Sequence, residues 1–530
     1  MADASFDAVI IGAGHNGLAL GCYLAKSGWS VGIFERRHEE GGGLCTEELT
    51  RPGFLHNVHS NYHTLVGVSP VYEDLNLFEH GLKYAHPPVQ MGSVFKDGTA
   101  LTIHTDINRT HDSMARFSQK DADTWVRLYE EVKGFLDLLV GTLMFAPPIE
   151  LNEITNALTV WGVEEKSEFL RARLRSMSIN EFLDQHFENE KIKTMLAFHA
   201  AVCAYSTDVR GLAISFPLLA GKIDNWQCCI GGSHKLAHAL WWTLLADGGV
   251  VYPAAPVERI LVKHGRAVGV KLQDGTEVEA RKLVASNVDV EQTFLAFLDK
   301  EIKDKAFRDS VLTCKHKDWT LFSIHLALNE PPRYSAAEFD PDIDQAWVMN
   351  VGYESLAELN DHFARVRRGE LVDPKLNCAV NSLFDPTDAP PGKYTGLIRQ
   401  FAPFALNGSE DKWEQVKDDY SMRCIEKWRE YAGNLDDNAI IAYAPYTPKE
   451  VSDRLVNMVR GDWMLGDISP DNLLTEHPFR ALSQYRTPIK GLYMCGSTQH
   501  PHGYITFAPA YNALHVIADD YGIEKWWKRV

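Results

Sequence analysis

Hydrophobic residues open the chain in a short continuous run and then recur at helical spacing. Ala8-Val9-Ile10-Ile11 is wholly apolar, as in a strand that is buried on both faces. A helix is predicted over residues 18–26, Gly28 marks its end, and the apolar run 31–34 predicts a second strand. This order predicts a βαβ unit of an α/β fold.

The pattern changes twice further along the chain. Residues 110–220 are mainly helical in pattern and rich in aromatic residues, with an amphipathic stretch at 125–139, and they predict a helical lobe. Three short strands at 257–262, 267–272 and 277–280, separated by turn residues, predict a β-meander. Residues 301–480 mix strands, proline-rich turns and a helix around 412–431. We therefore expect two structural lobes, as the length of 530 residues also indicates.

Composition excludes several classes of function. The net charge of −18, from 53 basic and 71 acidic residues, repels nucleic acid, and no long basic run offsets it. No apolar run is long enough to cross a bilayer, and the first residues lack the features of a signal peptide, so we expect a cytoplasmic protein. Nine scattered cysteines without a Cys-x-x-Cys pair predict neither disulfides nor a zinc site.

The segment between the first strand and helix is a phosphate-binding motif. Gly12-Ala13-Gly14-His15-Asn16-Gly17 follows a buried strand, precedes a helix and is followed by Glu35 at the end of the next strand. Gly12 permits the tight turn, Gly14 lets the backbone approach a pyrophosphate, and Gly17 lets the helix pack closely. Glu35 is predicted to accept hydrogen bonds from the hydroxyls of the adenosine ribose.

A second glycine cluster carries a family resemblance. Phe34-Glu35-Arg36-Arg37, followed by Gly41-Gly42 and Thr46-Glu47-Glu48, resembles the phytoene desaturase-like branch of the FAD-dependent amine-oxidase superfamily, which includes carotenoid ketolases, carotenoid isomerases and retinol saturase. Further segments resemble that branch in the same order along the chain: 231–233, 257–260, 286–289, 491–496, 500–501 and 509–513.

The resemblance implies a fold and a cofactor. The expected fold is α/β, with a discontinuous Rossmann-like FAD-binding domain (1–75, 222–300 and 485–530) and an inserted α+β substrate domain that carries the helical lobe (76–221 and 301–484). The residues predicted to bind FAD are Gly12, Gly14, His15, Asn16, Gly17, Glu35, Arg36, Gly42, Gly43, Leu44, Val257, Asn287, Gly496, Gly503, Tyr504 and Ile505. Val257 is expected to contact the adenine through its backbone.

The last segment is predicted to form a helix that points at the flavin. Thr506 fits an N-cap, Pro509 fits the first turn, and a buried stripe follows before Gly522. The positive end of such a helix favours the negative charge that collects on the N1–C2=O edge of a reduced flavin.

The chemistry that the resemblance implies is removal of hydrogen at a carbon–carbon bond, with a hydride passing to flavin N5. Where carotenoid enzymes tend to have glycine after His-Pro, this chain has bulky polar residues at 502–507. We therefore predict a smaller apolar substrate with an oxygen function, such as an alicyclic ketone or acid. Tyr504 or His502 is predicted to hold the oxygen or act as base, and His59 and His63 are further candidates.

The sequence leaves several alternatives for the function open. One is a desaturase, ketolase or isomerase of a polyene, and another is a flavin-bearing scaffold that acts through partners. Oxygen or a quinone is the expected electron acceptor. The tail 525–530 contains tryptophans and basic residues, which suit contact with a membrane surface but are too short to anchor the chain. Metal binding by His56, His59 and His63 would require a helix that Gly53 and Asn57 disfavour.

Overall fold

The computed structural model describes residues 4–160, 162, 167–298 and 301–527, which contain two seven-stranded sheets and two small two-stranded sheets. The strands in chain order are β1 (Ala4–Ile11), β2 (Val31–Phe34), β3 (Thr46–Glu47), β4 (His56–Asn57), β5 (Tyr84–Ala85), β6 (Val89–Val94), β7 (Ala100–His104), β8 (Cys228–Cys229), β9 (Val250–Tyr252), β10 (Val257–Lys263), β11 (Arg266–Leu272), β12 (Glu277–Ser286), β13 (Thr320–Leu328), β14 (Val348–Val351), β15 (Leu376–Ala379), β16 (Tyr394–Ala402), β17 (Ile440–Tyr446) and β18 (Leu492–Met494).

The described residues also form α-helices along the whole chain. They are α1 (His15–Lys26), α2 (Val71–Asp74), α3 (Ile107–Ala115), α4 (Gln119–Lys133), α5 (Leu136–Leu143), α6 (Leu151–Val160), α7 (Ile179–His186), α8 (Glu190–Val202), α9 (Phe216–Ala220), α10 (His234–Ala246), α11 (Lys305–Leu312), α12 (Leu356–Arg367), α13 (Lys412–Arg429), α14 (Pro448–Arg454) and α15 (Ala508–Tyr521).

The first large sheet gathers strands from the beginning, middle and end of the chain. Its order is β10-β11-β12-β1-β2-β9, and β18 also pairs with β12. The pairs β12–β1, β1–β2, β2–β9 and β12–β18 are parallel, and the edge strands β10 and β11 are antiparallel. Helix α1 packs against α10 and α15 beside this sheet. The carboxyl ends of β1, β12 and β18 therefore lie together.

The second large sheet belongs to the inserted part of the chain. Its order is β17-β13-β16-β15-β14-β6-β7, and all its pairs are antiparallel except β14–β6. Strands β13 and β16 are almost wholly buried, because a second hydrophobic core under α13 covers one of their faces. Their other face borders the site described below.

The predicted fold class is confirmed, and most predicted elements are present. The βαβ unit and the β-meander occur at the predicted positions, and the predicted helix at 412–431 is α13. The amphipathic stretch at 125–139 is divided between α4 and α5, because Gly134 ends the first helix. The domain boundaries stay a prediction, although every strand of the first large sheet falls within the segments predicted for the FAD-binding domain.

Within the part of the chain that the structure describes, no helix combines the length and apolar character that a membrane span requires. The tail predicted to suit a membrane surface is described only to Trp527, and residues 528–530 lie outside the described residues. Trp526 and Trp527 pack against Tyr23 of α1. The predicted membrane contact and cytoplasmic location stay predictions.

Candidate functional site

The glycine loop after β1 leaves no space for side chains. A Cβ at Gly17 would clash with the carbonyl oxygen of Gly12 and approach Asn287 Nδ2 to 2.8 Å. Gly12 has a φ of +91°, a left-handed conformation that other residues adopt at a cost, and its carbonyl accepts a hydrogen bond of 3.1 Å from Asn287 Nδ2. The loop thus presents backbone atoms rather than side chains at its glycine positions, as close binding of a pyrophosphate requires.

The helix that follows the loop presents its positive end without a competing side chain. Gly14 is the N-cap of α1, no side chain caps the first turn, and no acidic residue lies there. The second glycine segment packs onto the loop, because the Gly41 amide donates to the Ala13 carbonyl at 2.8 Å and a Cβ at Gly42 would lie 3.3 Å from Gly14 Cα. Free amides and the helix dipole at this point favour an anion.

Glu35 lies behind the loop, where its carboxylate is largely buried. Oε2 accepts the Ala13 amide at 2.8 Å and Oε1 accepts the Arg37 amide at 2.8 Å. A carboxylate has about four acceptor sites, so it can still accept from ribose hydroxyls. Its role toward a ribose stays a prediction.

The C-terminal segment lies opposite the glycine loop, and three of its non-glycine residues have left-handed backbone conformations. His502, Tyr504 and Phe507 have φ values of 87°, 77° and 63°. Left-handed φ values cost free energy in non-glycine residues, and they concentrate at functional sites. At Gly503 a Cβ would lie 2.7 Å from the Trp463 carbonyl oxygen, and at Gly496 it would lie 2.7 Å from the Asn287 carbonyl oxygen.

The predicted N-cap of the last helix is wrong by one residue. Helix α15 begins at Ala508, its N-cap is Phe507, and Pro509 lies in the first turn as predicted. The hydroxyl of Thr506 accepts the Ala508 amide at 3.1 Å, so it still supplies one acceptor to the helix start. Phe507 occupies the N-cap position in a left-handed conformation with a φ of 63°.

A cleft lies between the two large sheets, where these backbone segments meet. Its cavity volume is about 190 Å³, and it is partly open to solvent. One wall contains Gly14, His15, Gly42, Gly43, Asn287, Tyr504 and Ile505. The other combines the apolar side chains of Trp226, Leu321, Phe401, Met458 and Trp463 with polar ones that include His59, Asn61, Tyr62, Asn377 and Arg399.

Arg399 places a positive charge in this cleft. Its guanidinium is buried, lies 5.6 Å from the centre of the Tyr62 ring and donates to the His59 carbonyl oxygen at 2.6 Å, while Nε has no partner. Burial lowers the pKa of Arg399, yet an arginine remains charged in proteins. No Asp or Glu occurs among the described residues that line the cleft. The charge is therefore available to an anionic or polar ligand.

His59 lines the same cleft next to Arg399. Its Nε2 is buried without a hydrogen-bond partner. Burial, together with the charges of Arg399 and Arg37, lowers the pKa of His59 to about 3. The imidazole is therefore neutral at physiological pH and can accept a proton or a hydrogen bond.

Tyr504 lines the cleft, but its hydroxyl proton already forms a hydrogen bond within the protein. The hydroxyl donates to the Cys203 carbonyl oxygen, and burial keeps the pKa of Tyr504 well above its usual value. A phenol has one proton, so Tyr504 presents only acceptor lone pairs to a ligand. Asn377 supplies a donor instead, because its Nδ2 is unpartnered while its Oδ1 accepts from Tyr62 at 2.8 Å.

His63 and His502 do not line the cleft. His63 Nδ1 pairs with the Tyr84 hydroxyl at 2.7 Å, and the His502 ring packs against the His477 ring at a tilt of 44°, with 3.6 Å between ring centres. Burial lowers the pKa of each to about 3. Their placement behind the lining argues against the predicted catalytic roles. The rival metal site is also unsupported, since His56 lies in strand β4 and bonds to Thr50.

The remaining predicted residues lie around the cleft rather than on its surface. Asn16 Nδ2 donates to Ser497 at 3.0 Å and its buried Oδ1 is unpartnered. Val257 begins β10, Leu44 is buried, and the Arg36 guanidinium donates to the Arg454 carbonyl oxygen at 2.8 Å. Their contacts with a cofactor stay predictions.

The residues present fit a dinucleotide. The glycine loop leaves an open space beside the backbone, which a Cβ at Gly14 or Gly17 would fill. The start of the helix that follows has no side-chain cap. His15 Nε2 and Asn16 Oδ1 are buried beside it without partners, and burial lowers the pKa of His15 to about 4. Such orphaned polar atoms beside an open helix terminus indicate a ligand that would satisfy them.

Sequence reasoning missed Arg399, Asn377 and the aromatic wall. One signal was available, because Leu397-Ile398-Arg399-Gln400-Phe401 places a cation within an apolar run of strand character. Cations are almost never fully buried without a role or a partner. Its contacts His59 and Tyr62 lie more than 300 residues away in sequence, so no local pattern could identify them.

Comparisons with known proteins agree with this geometry. The family model of the NAD(P)-binding Rossmann-like domain matches residues 10–76. The chain is 32% identical to a limonene dehydrogenase subunit of Castellaniella defragrans, over 98% of this chain and 96% of that protein. It is 24% identical to the neurosporene-forming phytoene desaturase of Rhodobacter capsulatus, over 93% of this chain and 90% of that protein.

A solved structure shares the fold. A putrescine oxidase mutant with redesigned cofactor binding superposes with a TM-score of 0.61 and 16% identity, covering 98% of both chains. At that identity the match concerns the fold alone.

Proposed function

This chain belongs to the phytoene desaturase-like branch of the FAD-dependent amine-oxidase superfamily, and from that premise we propose that it desaturates a carbon–carbon bond in an apolar alicyclic ketone or acid. It is an FAD-dependent oxidoreductase, as its relatives are. The relatives are dehydrogenases and desaturases, which favours an enzyme over the flavin-bearing scaffold.

The observation that carries the proposal is the buried charge of Arg399 in a cleft whose described lining contains no acidic side chain. An uncompensated buried charge is costly, and a carboxylate or polarised carbonyl oxygen would offset that cost. The aromatic and aliphatic wall around it suits a hydrocarbon ring. Together they favour a substrate with one oxygen function on an apolar body.

Arg399 would orient the substrate and stabilise negative charge as it develops on the substrate oxygen. The unpartnered Nδ2 of Asn377 can donate to the same oxygen. Hydrogen-bond donors held in place before the reaction need no reorganisation, and one such donor is worth roughly 10²- to 10³-fold in rate. The α-carbon of the substrate is acidified by this contact.

His59 Nε2 is the proposed acceptor of the α-proton. It is neutral, unpartnered and beside Arg399. An anion bound at Arg399 would offset one of the two charges that lower the pKa of His59. The proton leaves to solvent through the open part of the cleft after the double bond has formed.

FAD, when bound, would supply the acceptor for the two electrons and the hydrogen removed from the β-carbon, and Gly14, Gly42 and Gly43 are among the residues that would hold it. The chain's task is to hold the β-carbon toward the glycine wall and to keep water away. Trp226, Phe401 and Trp463 exclude water from that part of the cleft. Reoxidation by oxygen or a quinone stays a prediction.

Anaerobic mixing with matched substrates tests the proposal. Cyclohexanecarboxylate and cyclohexanone would be compared with limonene and a carotenoid, while the visible absorbance of the oxidised flavin is followed. We expect the oxygen-bearing rings to bleach the flavin and Arg399→Met to lose this response. Bleaching by limonene or the carotenoid alone would contradict the proposal and favour a hydrocarbon desaturase, a function that the relatives' names also admit.

The matched control is Arg423→Met. Arg423 lies on α13 and pairs with Asp373 at the exposed surface, so its loss removes an arginine without touching the cleft. It should bleach at the wild-type rate. Equal effects of the two variants would show that arginine loss acts through stability and not through the substrate.

A further inference from the structure

A second group of polar side chains lies outside the cleft, beside the glycine segment 41–43. Glu40 precedes that segment, and His234 and His238 lie four residues apart on one face of α10. Glu40 Oε1 is 3.3 Å from His234 Nε2 and 3.1 Å from His238 Nδ1. All three atoms lie within 4.8 Å of one another.

The carboxylate of Glu40 is buried against two imidazoles. Its side chain is 8% exposed, and neither its Oε1 nor His238 Nδ1 has a hydrogen bond of good geometry. Glu40 still pairs electrostatically with His234 and His238 at these distances. An unsatisfied buried carboxylate oxygen is expensive, and a cation at the common centre of the three atoms would satisfy it.

The spacing suits a tetrahedral transition-metal ion. Zn²⁺ binds imidazole nitrogen and carboxylate oxygen at about 2.0–2.2 Å, so that neighbouring ligand atoms lie about 3.3 Å apart. The two distances to Glu40 Oε1 match that spacing. His234 Nδ1 also pairs with the Leu44 carbonyl oxygen at 3.1 Å, which would fix the tautomer and direct Nε2 as a ligand.

We infer that Glu40, His234 and His238 form a binding site for Zn²⁺ or a similar divalent transition-metal ion. The side chain of His238 is 40% exposed, so solvent can supply a fourth ligand. The ion would tie the start of the glycine segment to α10. That segment donates from Gly41 to Ala13 and lines the cleft, so the metal would stiffen the cofactor side of the site.

This site could not be predicted from the sequence, which favoured no metal. Glu40 and His234 are nearly 200 residues apart, and two histidines at helical spacing are common in ordinary helices. The structure supplies the third ligand and shows that its oxygen has no other partner.

Zinc analysis of the purified flavoprotein tests the inference. The full chain would be treated with a chelator, incubated with Zn²⁺, passed through gel filtration and analysed for metal. We expect one zinc per chain and a rise of several degrees in Tm. His238→Gln should weaken binding by more than about 100-fold, because even outer-shell partners of zinc ligands are worth roughly 10- to 100-fold.

Two controls keep the result interpretable. His264→Asn removes an exposed histidine from a hairpin turn whose φ of 51° suits asparagine, and it should retain one zinc. Flavin content and Tm without metal report whether each variant folds, and Glu40→Gln replaces His238→Gln if that variant does not. Absence of retained zinc in wild-type protein, or equal retention in the ligand variants and His264→Asn, would overturn the inference.

Discussion

The two walls of the cleft recognise ligands by opposite means. The wall built on the first sheet uses backbone amides and the absence of side chains, as at Gly14, Gly42 and Gly43. The wall built on the second sheet uses side chains, with Arg399 among aromatic residues. The first wall suits a ligand shared by many proteins, whereas the second decides which substrate fits. Binding of the cofactor and selection of the substrate are thus separable in this molecule.

The largest expected effect comes from adding a side chain to the glycine loop. Gly17→Ala should abolish FAD binding, because its Cβ would clash with the Gly12 carbonyl oxygen and lie 2.8 Å from Asn287 Nδ2, and backbone cannot move aside cheaply. Overpacking of this kind costs about 1–3 kcal/mol, so Tm should also fall. The ratio of flavin to protein after gel filtration measures the effect.

Gly28→Asn is its control, since a Cβ there meets nothing within 4 Å and asparagine tolerates the φ of +84°. It should keep its flavin. If Gly17→Ala bound FAD stoichiometrically, the backbone wall would not be the cofactor site.

The second prediction distinguishes substrate binding from cofactor binding. Arg399→Met should keep FAD and lower kcat/KM for an oxygen-bearing ring by about 10²- to 10³-fold, because loss of a buried hydrogen-bonded charge partner costs about 2–5 kcal/mol. Steady-state kinetics and flavin content are measured together. Loss of flavin in this variant would mean that Arg399 serves the cofactor wall instead.

The third prediction concerns the proton acceptor. His59→Asn should lower kcat by about 10²-fold or more, the usual contribution of a positioned acid or base. Because burial and two arginines lower the pKa of His59 to about 3, the base stays unprotonated above about pH 4. The kcat/KM of the wild type should then be level from pH 8 to 5, since protonation inactivates only at lower pH.

An ordinary histidine would instead lose activity as pH falls through about 6.5. A decline near that value, absent from His59→Asn, would contradict the pKa shift. His63→Gln is the comparison variant, since His63 pairs with Tyr84 and does not line the cleft.

The smallest effect is expected at Tyr504. Tyr504→Phe should change kcat/KM only a few-fold but reduce the free energy of unfolding by about 1 kcal/mol, because it leaves the Cys203 carbonyl without its donor. Denaturant unfolding measures the stability, and steady-state assays measure the rate. A loss of activity of about 100-fold would restore the role that the sequence suggested for this hydroxyl.

The cofactor wall could be predicted from the sequence because its requirements are local. A tight turn, a close helix contact and an uncapped helix start each demand glycine at a fixed position, so Gly12, Gly14 and Gly17 carry the information in themselves. The C-terminal segment could be assigned only through a family resemblance. Its cap was misplaced because Phe507 adopts a left-handed backbone conformation that its residue type does not signal.

The tertiary structure alone decided the substrate wall and the proposed metal site. His59, Arg399 and Asn377 meet because β15 and β16 face the segment that follows β4, a pairing that hydrophobic periodicity cannot specify. His502 and His63 look equally reactive in the sequence but are turned into the protein by their neighbours. Backbone chemistry follows from local sequence, whereas the partners and exposure of a side chain depend on which distant segments pack around it.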